Sequence, residues 1–245
     1  MTDFLPRAIL LDFYGTVVED ADIPFGKICD NISQTSNLRV TAVEIASYWS
    51  NLSRELCNQS FGARYCSQKE LELLSVQRVL QHFEAELDAD ALTESLYAYW
   101  AHPTIFPESK EVLAKCKIPV CLVSNIDNAE LQSALRHNVL RFDLVVTSED
   151  CRAYKPRSEI FEKALSLLDL SPEEVLHVGD SLNNDVRGAK SQGIRVLWIN
   201  RKKREVSCAD ETPDYISNDL TGLLNFFEGK DAAESGQHND HLLRL

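Results

Sequence analysis

Short apolar runs alternate with helix-length segments along most of this chain, and that rhythm restricts it to a parallel α/β sheet covered by helices on both faces. The runs are residues 8–13, 120–123, 144–147, 175–178, 195–199 and 215–217. Between them lie helical segments at 127–136, 158–168, 183–192 and 219–227. In an open sheet of this kind, ligands bind outside the carboxyl ends of the strands, where residues distant in sequence meet. The polar residues that close the runs are therefore the candidate site: Asp12, Tyr14, Gly15 and Thr16; Ser124 and Asn125; Gly179, Asp180 and Ser181, with Asp185 just beyond.

Residues 18–102 break the rhythm and contain no convincing strand. Thr41 with Glu44, and Ser67 with Glu70, have capping-box spacing, and each pair opens a segment with apolar residues at helical intervals. Asp88 or Asp90 starts a third helix running to Trp100. The expected organisation is a core of residues 1–17 and 103–228, an all-helical insert of 18–102 placed as a lid beyond Asp12, and a polar, disordered tail at 229–245.

The chain has 245 residues, 44% of them hydrophobic, enough for one full domain and a smaller insert. Seven cysteines are scattered without a Cys-x-x-Cys pair, so neither a zinc site nor a disulfide framework is expected. No apolar stretch reaches the roughly 20 residues that cross a bilayer, and the opening residues lack the apolar core of a secretion signal. A cytoplasmic location is expected. The net charge of −13 argues against nucleic acid and anionic membranes as partners. An anionic substrate must be held by local positive groups. The oligomeric expectation is a monomer or a homodimer.

In their order and placement the site segments resemble the motifs of the haloacid dehalogenase-like (HAD) superfamily of hydrolases, over residues 9–227. The first motif, Asp-x-Asp-x-Thr, is matched by Asp12 and Thr16, with Tyr14 at the second Asp. Ser124 matches the second motif, Lys155-Pro156 the third, and Asp180 with Asp185 the acidic fourth. The resemblance implies a Rossmann-like parallel sheet with a mobile helical cap. It further implies Asp12 as nucleophile and Mg2+ held by Asp12, Asp180 and the backbone carbonyl of Tyr14, with Asp185 an outer or occasional direct ligand.

The residue types suit that chemistry. A carboxylate can attack an electrophilic centre and form a covalent intermediate that water later hydrolyses. Lys155 offsets the repulsion between two anions, while Ser124, Thr16 and the amides after Asp12, Gly15 among them, reach the nonbridging oxygens. Asn125 is a candidate substrate contact. Three carboxylates against one lysine leave a negative excess that a hard divalent cation would balance. The plain alternative is that Asp180 and Asp185 only cap the helix after them.

Tyr14 is the informative departure. In the family's phosphatases that position carries the acid that protonates the leaving group, and a phenol with a pKa of about 10 replaces it badly. The expected function is Mg2+-dependent hydrolysis of a small phosphorylated metabolite. One alternative is a 2-haloacid dehalogenase, whose halide leaves without a proton; Asp180 and the lack of an arginine at Ser50 argue against it, although Arg54 lies one turn later. Another is a catalytically weak protein that binds a phosphorylated ligand. Phosphonate cleavage would need a lysine within 41–60, and there is none. Elsewhere, Asp127 reads as the N-cap of the helix after it and His177 as sheet packing. The run from Arg201 to Arg204 reads equally as solvated loop or anion contact. Trp49, Tyr97, Tyr99 and Trp100 read as the insert's own core.

Overall fold

A computed structural model describes residues 4–206 and 212–227 together with the backbone of 242–244. Its framework is a seven-stranded sheet: β1 (Ala8–Leu11), β2 (Val120–Ser124), β3 (Leu144–Thr147), β4 (Val175–Gly179), β5 (Arg195–Ile199), β6 (Tyr215–Ser217) and β7 (Leu242–Arg244). The spatial order is β3-β2-β1-β4-β5-β6-β7, with the first six strands parallel and β7 antiparallel to β6. The strand order reverses at β1, which pairs with β2 on one side and β4 on the other. That reversal opens a crevice at the carboxyl ends of β1 and β4, where Asp12 and Asp180 stand.

Alternation along the strands explains the two buried layers. On β1, Ile9 and Leu11 join the apolar cluster on one face, whereas Ala8 and Leu10 join the cluster on the other. Because both faces are covered, the strands read as unbroken apolar runs. Helices α5 (Ser109–Lys115) and α6 (Asn128–Asn138) supply residues to the first cluster, and α8 (Ser158–Leu168) and α9 (Gly188–Ser191) to the second. The short helix α7 (Ser148–Cys151) follows β3.

Between β1 and α5 the chain forms four helices around a core of their own: α1 (Asp22–Thr35), α2 (Ala42–Gln59), α3 (Gln68–His82) and α4 (Ala89–Ala101). The capping boxes at Thr41 and Ser67 are both formed, and Asp88 accepts from the Ala91 amide. Helix α1 has no such signal: Ala21 precedes it and makes no side-chain cap. The segments that lead into and out of this insert lie side by side. Val18 and Ile105 form an antiparallel bridge, the Glu19 amide donates to Thr104 O at 2.8 Å, and the Phe106 amide donates to Val17 O at 3.2 Å.

Other expectations are corrected. The helix expected at 183–192 is split into a π-helical turn at Leu182–Arg187 followed by α9. Residues 220–226 coil as a 3-10 helix. Of the tail expected to be disordered, 242–244 form β7; the rest of it, and Cys208, lie outside the described residues. The other six cysteines are free. Among the described residues no helix is long and apolar enough to cross a membrane.

Candidate active site

The loop after β1 carries the site's first carboxylate. Pairing with β4 continues one residue past the strand, since the Asp12 amide donates to Val178 O at 2.9 Å. The chain then turns tightly, with the amides of Thr16, Val17 and Val18 all directed at Phe13 O. Gly15 makes this turn possible at φ +82°, and a Cβ there would stand 2.7 Å from Asp180 Cγ. The loop therefore lies directly against the tip of β4.

Lys155 joins the strand tips. Its ammonium donates to Asp12 Oδ1 at 2.7 Å, to Asp185 Oδ1 at 2.7 Å and to Val123 O at 3.1 Å, which uses all three of its protons. Asn125 brackets its backbone, with Oδ1 accepting from the Lys155 amide at 2.8 Å and Nδ2 donating to the Lys155 carbonyl at 3.1 Å. The expected substrate contact at Asn125 is thus a structural clasp, with its carboxamide already engaged. Thr16 Oγ1 donates to Asp12 Oδ2 at 2.9 Å, and Ser124 closes β2 in a buried position. Asp12, Thr16, Ser124, Lys155, Asp180 and Asp185, scattered from residue 12 to 185, are gathered at neighbouring strand ends.

Oxygens of Asp12, Asp180 and Asp185 lie within 4.8 Å of one another, the only such acidic or metal-ligating cluster among the described residues. Burial shapes each of them differently. Asp12 is pushed up to about 7 by burial, with the Asp185 charge adding to the rise and Lys155 and Thr16 opposing it. Burial, then the charges of Asp12, Asp185 and Asp20, pushes Asp180 up to about 8 against the pull of Arg204. For Asp185 burial is overcome by Lys155 and by His177, so its carboxyl is held well below the usual range. Burial disfavours the Lys155 ammonium, but Asp12 and Asp185 more than compensate and keep it charged.

Those shifts bear on whether a cation fits. The donors are hard oxygens, and Asp180 has only the partly exposed guanidinium of Arg204, at 3.2 Å, as a cationic partner among the described residues. Asp185 is already committed: Oδ1 to Lys155 and His177, and Oδ2 to the Ser181 amide at 2.9 Å. The hard oxygens of Asp12 and Asp180 therefore fit a divalent ion, while Asp185 serves as an anchor for Lys155. Gly179 is required for the same packing, because a Cβ there would meet Asp185 Cγ at 2.3 Å. Helix capping in this turn falls to Ser181, which accepts from the Asn184 amide at 3.1 Å, so capping does not account for Asp180.

Tyr14 points its phenol away from this chemistry. The hydroxyl donates to Trp100 O at 2.7 Å, at the end of α4, and burial pushes its ionisation further up. Beside Gly15 and Asp180 opens a cleft of about 260 Å³, also lined by Asp20, Phe106, Arg201 and Arg204. Arg201 donates to Thr16 O at 2.9 Å, bonds Glu108 at 2.6 Å and stacks on Phe106; Arg204 bonds both the backbone and the carboxylate of Asp180. Arg201 is therefore tied into the wall of the cleft, whereas Arg204 stays exposed to solvent while it contacts Asp180. Two further readings are corrected. His177 does more than pack, because its Nε2 donates to Asp185 at 3.0 Å and burial keeps the ring neutral. Asp127 holds the N-cap position of α6, but its side chain makes no capping bond there. The Asn128 amide is taken instead by Glu149 at 2.7 Å. Of the insert's aromatics, Trp49 is core, whereas Trp100 also packs on the sheet side and Tyr97 reaches Asp127. A polar residue on an otherwise apolar strand was the one available signal for His177.

A doubly wound sheet with clustered carboxylates and a lysine at its strand tips defines a class of α/β hydrolases that attack with an aspartate. Within that class the match is specific: a profile of the haloacid dehalogenase-like hydrolases covers residues 6–193, and this chain belongs to that family. It is similar to the haloacid dehalogenase-like hydrolase domain-containing protein 3 of Danio rerio, with 34% identity, covering 55% of this chain and 58% of the relative. The phosphoserine phosphatase of Thermus thermophilus is 30% identical, covering 54% of this chain and 55% of that enzyme. The matched stretch thus spans little more than half the length of these relatives. Among solved structures, the L-2-haloacid dehalogenase of Xanthobacter autotrophicus with chloropropionic acid covalently bound superposes with a TM-score of 0.72 at 21% identity, covering 92% of this chain and 99% of the dehalogenase.

Proposed function

We propose that this hydrolase cleaves small phosphomonoesters through an aspartyl-phosphate on Asp12, with a divalent cation, Mg2+ by its hard oxygen donors, held by Asp12, Asp180 and the Tyr14 carbonyl. The observation that carries this reading is Asp180: a half-buried carboxylate packed against two others, with only a peripheral arginine as partner among the described residues, has a purpose where a cation is bound. A relative named as a phosphoserine phosphatase supports the same direction. When bound, the cation supplies positive charge against the phosphoryl oxygens.

The chain's own residues do the rest. Lys155, saturated by Asp12, Asp185 and Val123 O, neutralises the nucleophile and fixes its orientation. An Asp12 oxygen forms a bond to phosphorus as the ester oxygen departs with its electron pair; water then attacks phosphorus and returns Asp12 as a carboxylate. Thr16 aligns Asp12, and Ser124, at the end of β2, is assigned the role of donor to a phosphoryl oxygen. Tyr14 cannot protonate the departing oxygen, because its proton is committed to Trp100 O. The favoured substrates are therefore those whose leaving group departs without a proton. Helices α1–α4 act as a cap over the strand tips.

Tyr14 also favours a second reading, dehalogenation by the same Asp12, since a halide needs no proton. The two readings separate in one assay series. Release of p-nitrophenol from p-nitrophenyl phosphate is expected with Mg2+, to be lost in chelator and lost in Asp12→Asn. Halide release from 2-chloropropionate in chelator would replace the phosphatase by the dehalogenase. Binding of phosphate esters without turnover of either substrate would leave a ligand-binding protein.

A further inference from the structure

Asp127 stands three residues after Ser124 and is buried; its backbone carbonyl accepts from the Leu131 amide at the start of α6, yet its side chain caps no residue of that helix. Its carboxylate reaches across to the helical insert. Oδ1 accepts from the Gln68 amide at 2.8 Å and Oδ2 from the Lys69 amide at 3.0 Å, with the Tyr97 hydroxyl at 3.4 Å from Oδ2. Gln68 and Lys69 are the first two residues of α3, whose amides have no partner inside the helix. The next amide, of Glu70, is taken by Ser67, and Glu70 returns a bond to the Ser67 amide. The amino terminus of α3 is therefore completed by a residue from a different layer of the molecule, and a carboxylate at the positive end of a helix is a charge-assisted contact.

The same short loop holds the catalytic lysine. Asn125 clasps the Lys155 backbone from both sides, and Ser124 ends the strand beside it. Ser124, Asn125 and Asp127 thus connect the strand tips, the charge-neutralising lysine and the insert through one stretch of backbone. A second seam runs nearby: the Gly62 amide donates to Arg152 O, Arg152 Nε returns a bond to Gly62 O at 2.9 Å, and the Tyr154 hydroxyl donates to Cys66 O at 2.8 Å. Those contacts use backbone acceptors. Asp127 differs from them in being an ionisable acceptor, placed where it can grip two amides at once.

We infer that Asp127 is a positioning residue, which holds the α3 end of the insert shut over the strand tips by serving as that helix's acceptor. Separating insert from core breaks both bonds and leaves two helix amides and a buried carboxylate to be rehydrated. The role of closure in turnover rests on the phosphatase reading above; the grip itself does not. Amide hydrogen exchange without substrate tests the grip directly, in wild type, Asp127→Asn and a control, Glu149→Gln, which weakens the real cap of α6.

In Asp127→Asn, exchange at Gln68 and Lys69 is expected to accelerate by roughly tenfold or more, with the α6 amides unchanged. The control is expected to show the reverse pattern. Unchanged exchange at Gln68 and Lys69, or acceleration confined to α6, would overturn the inference. With p-nitrophenyl phosphate, Asp127→Asn is expected to raise KM more than it lowers kcat, and Asp127→Glu to recover part of the loss. Equal falls in both variants without a KM change would point to plain destabilisation and also overturn it. If wild type turns over no phosphate ester, the phosphatase reading fails and the exchange result still decides the grip.

Discussion

At the scale of single residues, position 14 is where the proposed phosphatase is most exposed to test. Its phenol spans from the loop after β1 to the Trp100 carbonyl and ties the sheet to the end of α4. Tyr14→Asp is expected to raise turnover of alkyl phosphates relative to p-nitrophenyl phosphate, since proton transfer is typically worth about 10² to 10⁴ in rate. The same variant forfeits the tie and is expected to lower the thermal unfolding midpoint, by an amount that corresponds to about 1 kcal/mol. A midpoint shift without any change in leaving-group preference would show that the insert already delivers a proton. The contrast with Asp180 is instructive. Asp180 and Asp12 were legible in the sequence because a carboxylate closing an apolar run is costly to bury unless the strand tip uses it, and Lys155 was legible through the proline that follows it. What His177 and Asp127 touch was not, since their partners lie 8 and 30 or more residues away and no local pattern encodes them.

At the scale of elements, α3 carries a buried carboxylate in the insert. Glu72 is buried and forms no salt bridge among the described residues; burial, helped by the Asp20 charge, pushes it up to about 7, while Ser75 and Trp49 act the other way. A carboxyl raised from its ordinary value near 4.5 binds its proton more tightly folded than unfolded. Its stabilising effect is complete below about pH 4.5 and fades as pH rises toward 7, by up to about 3 kcal/mol. Thermal melts of wild type are thus expected to lose stability between pH 5 and 8, and Glu72→Gln to lose less; parallel curves would remove Glu72 as the cause. Legibility also varied by element. The six parallel strands were readable to within a residue or two, because burial on both faces forces unbroken apolar runs. Helices α2, α3 and α4 announced their starts through Thr41, Ser67 and Asp88. Helix α1 did not: it starts after an uncapped Ala21, with Gly26 in its second turn, a residue that ordinarily argues against a helix. The break at 182–187 was equally silent, because the π-helical turn follows from seating Asp185 under Lys155 rather than from propensity.

For the whole molecule, the clustered carboxylates set stability against function. Three acids converge on one crevice, and the crowding of the half-buried Asp180 against the other two is a cost that the fold carries. Mg2+ is expected to raise the global unfolding temperature. A ligand present at a hundred times its Kd adds about 2.7 kcal/mol. Asp180→Asn is expected to melt higher than wild type in chelator above pH 8 and to show no Mg2+ shift; a wild-type melt insensitive to Mg2+ would exclude the cation site. The paired segments around Val18 and Ile105 carry a further consequence. The polypeptide departs from the α/β layer and comes back to it through adjacent, hydrogen-bonded stretches, so the intervening helices are attached like a page to its spine. A different bundle of helices could be spliced between residues 19 and 104 without rerouting a single strand, which under the proposed function would make substrate choice an exchangeable part and Asp12 a permanent one.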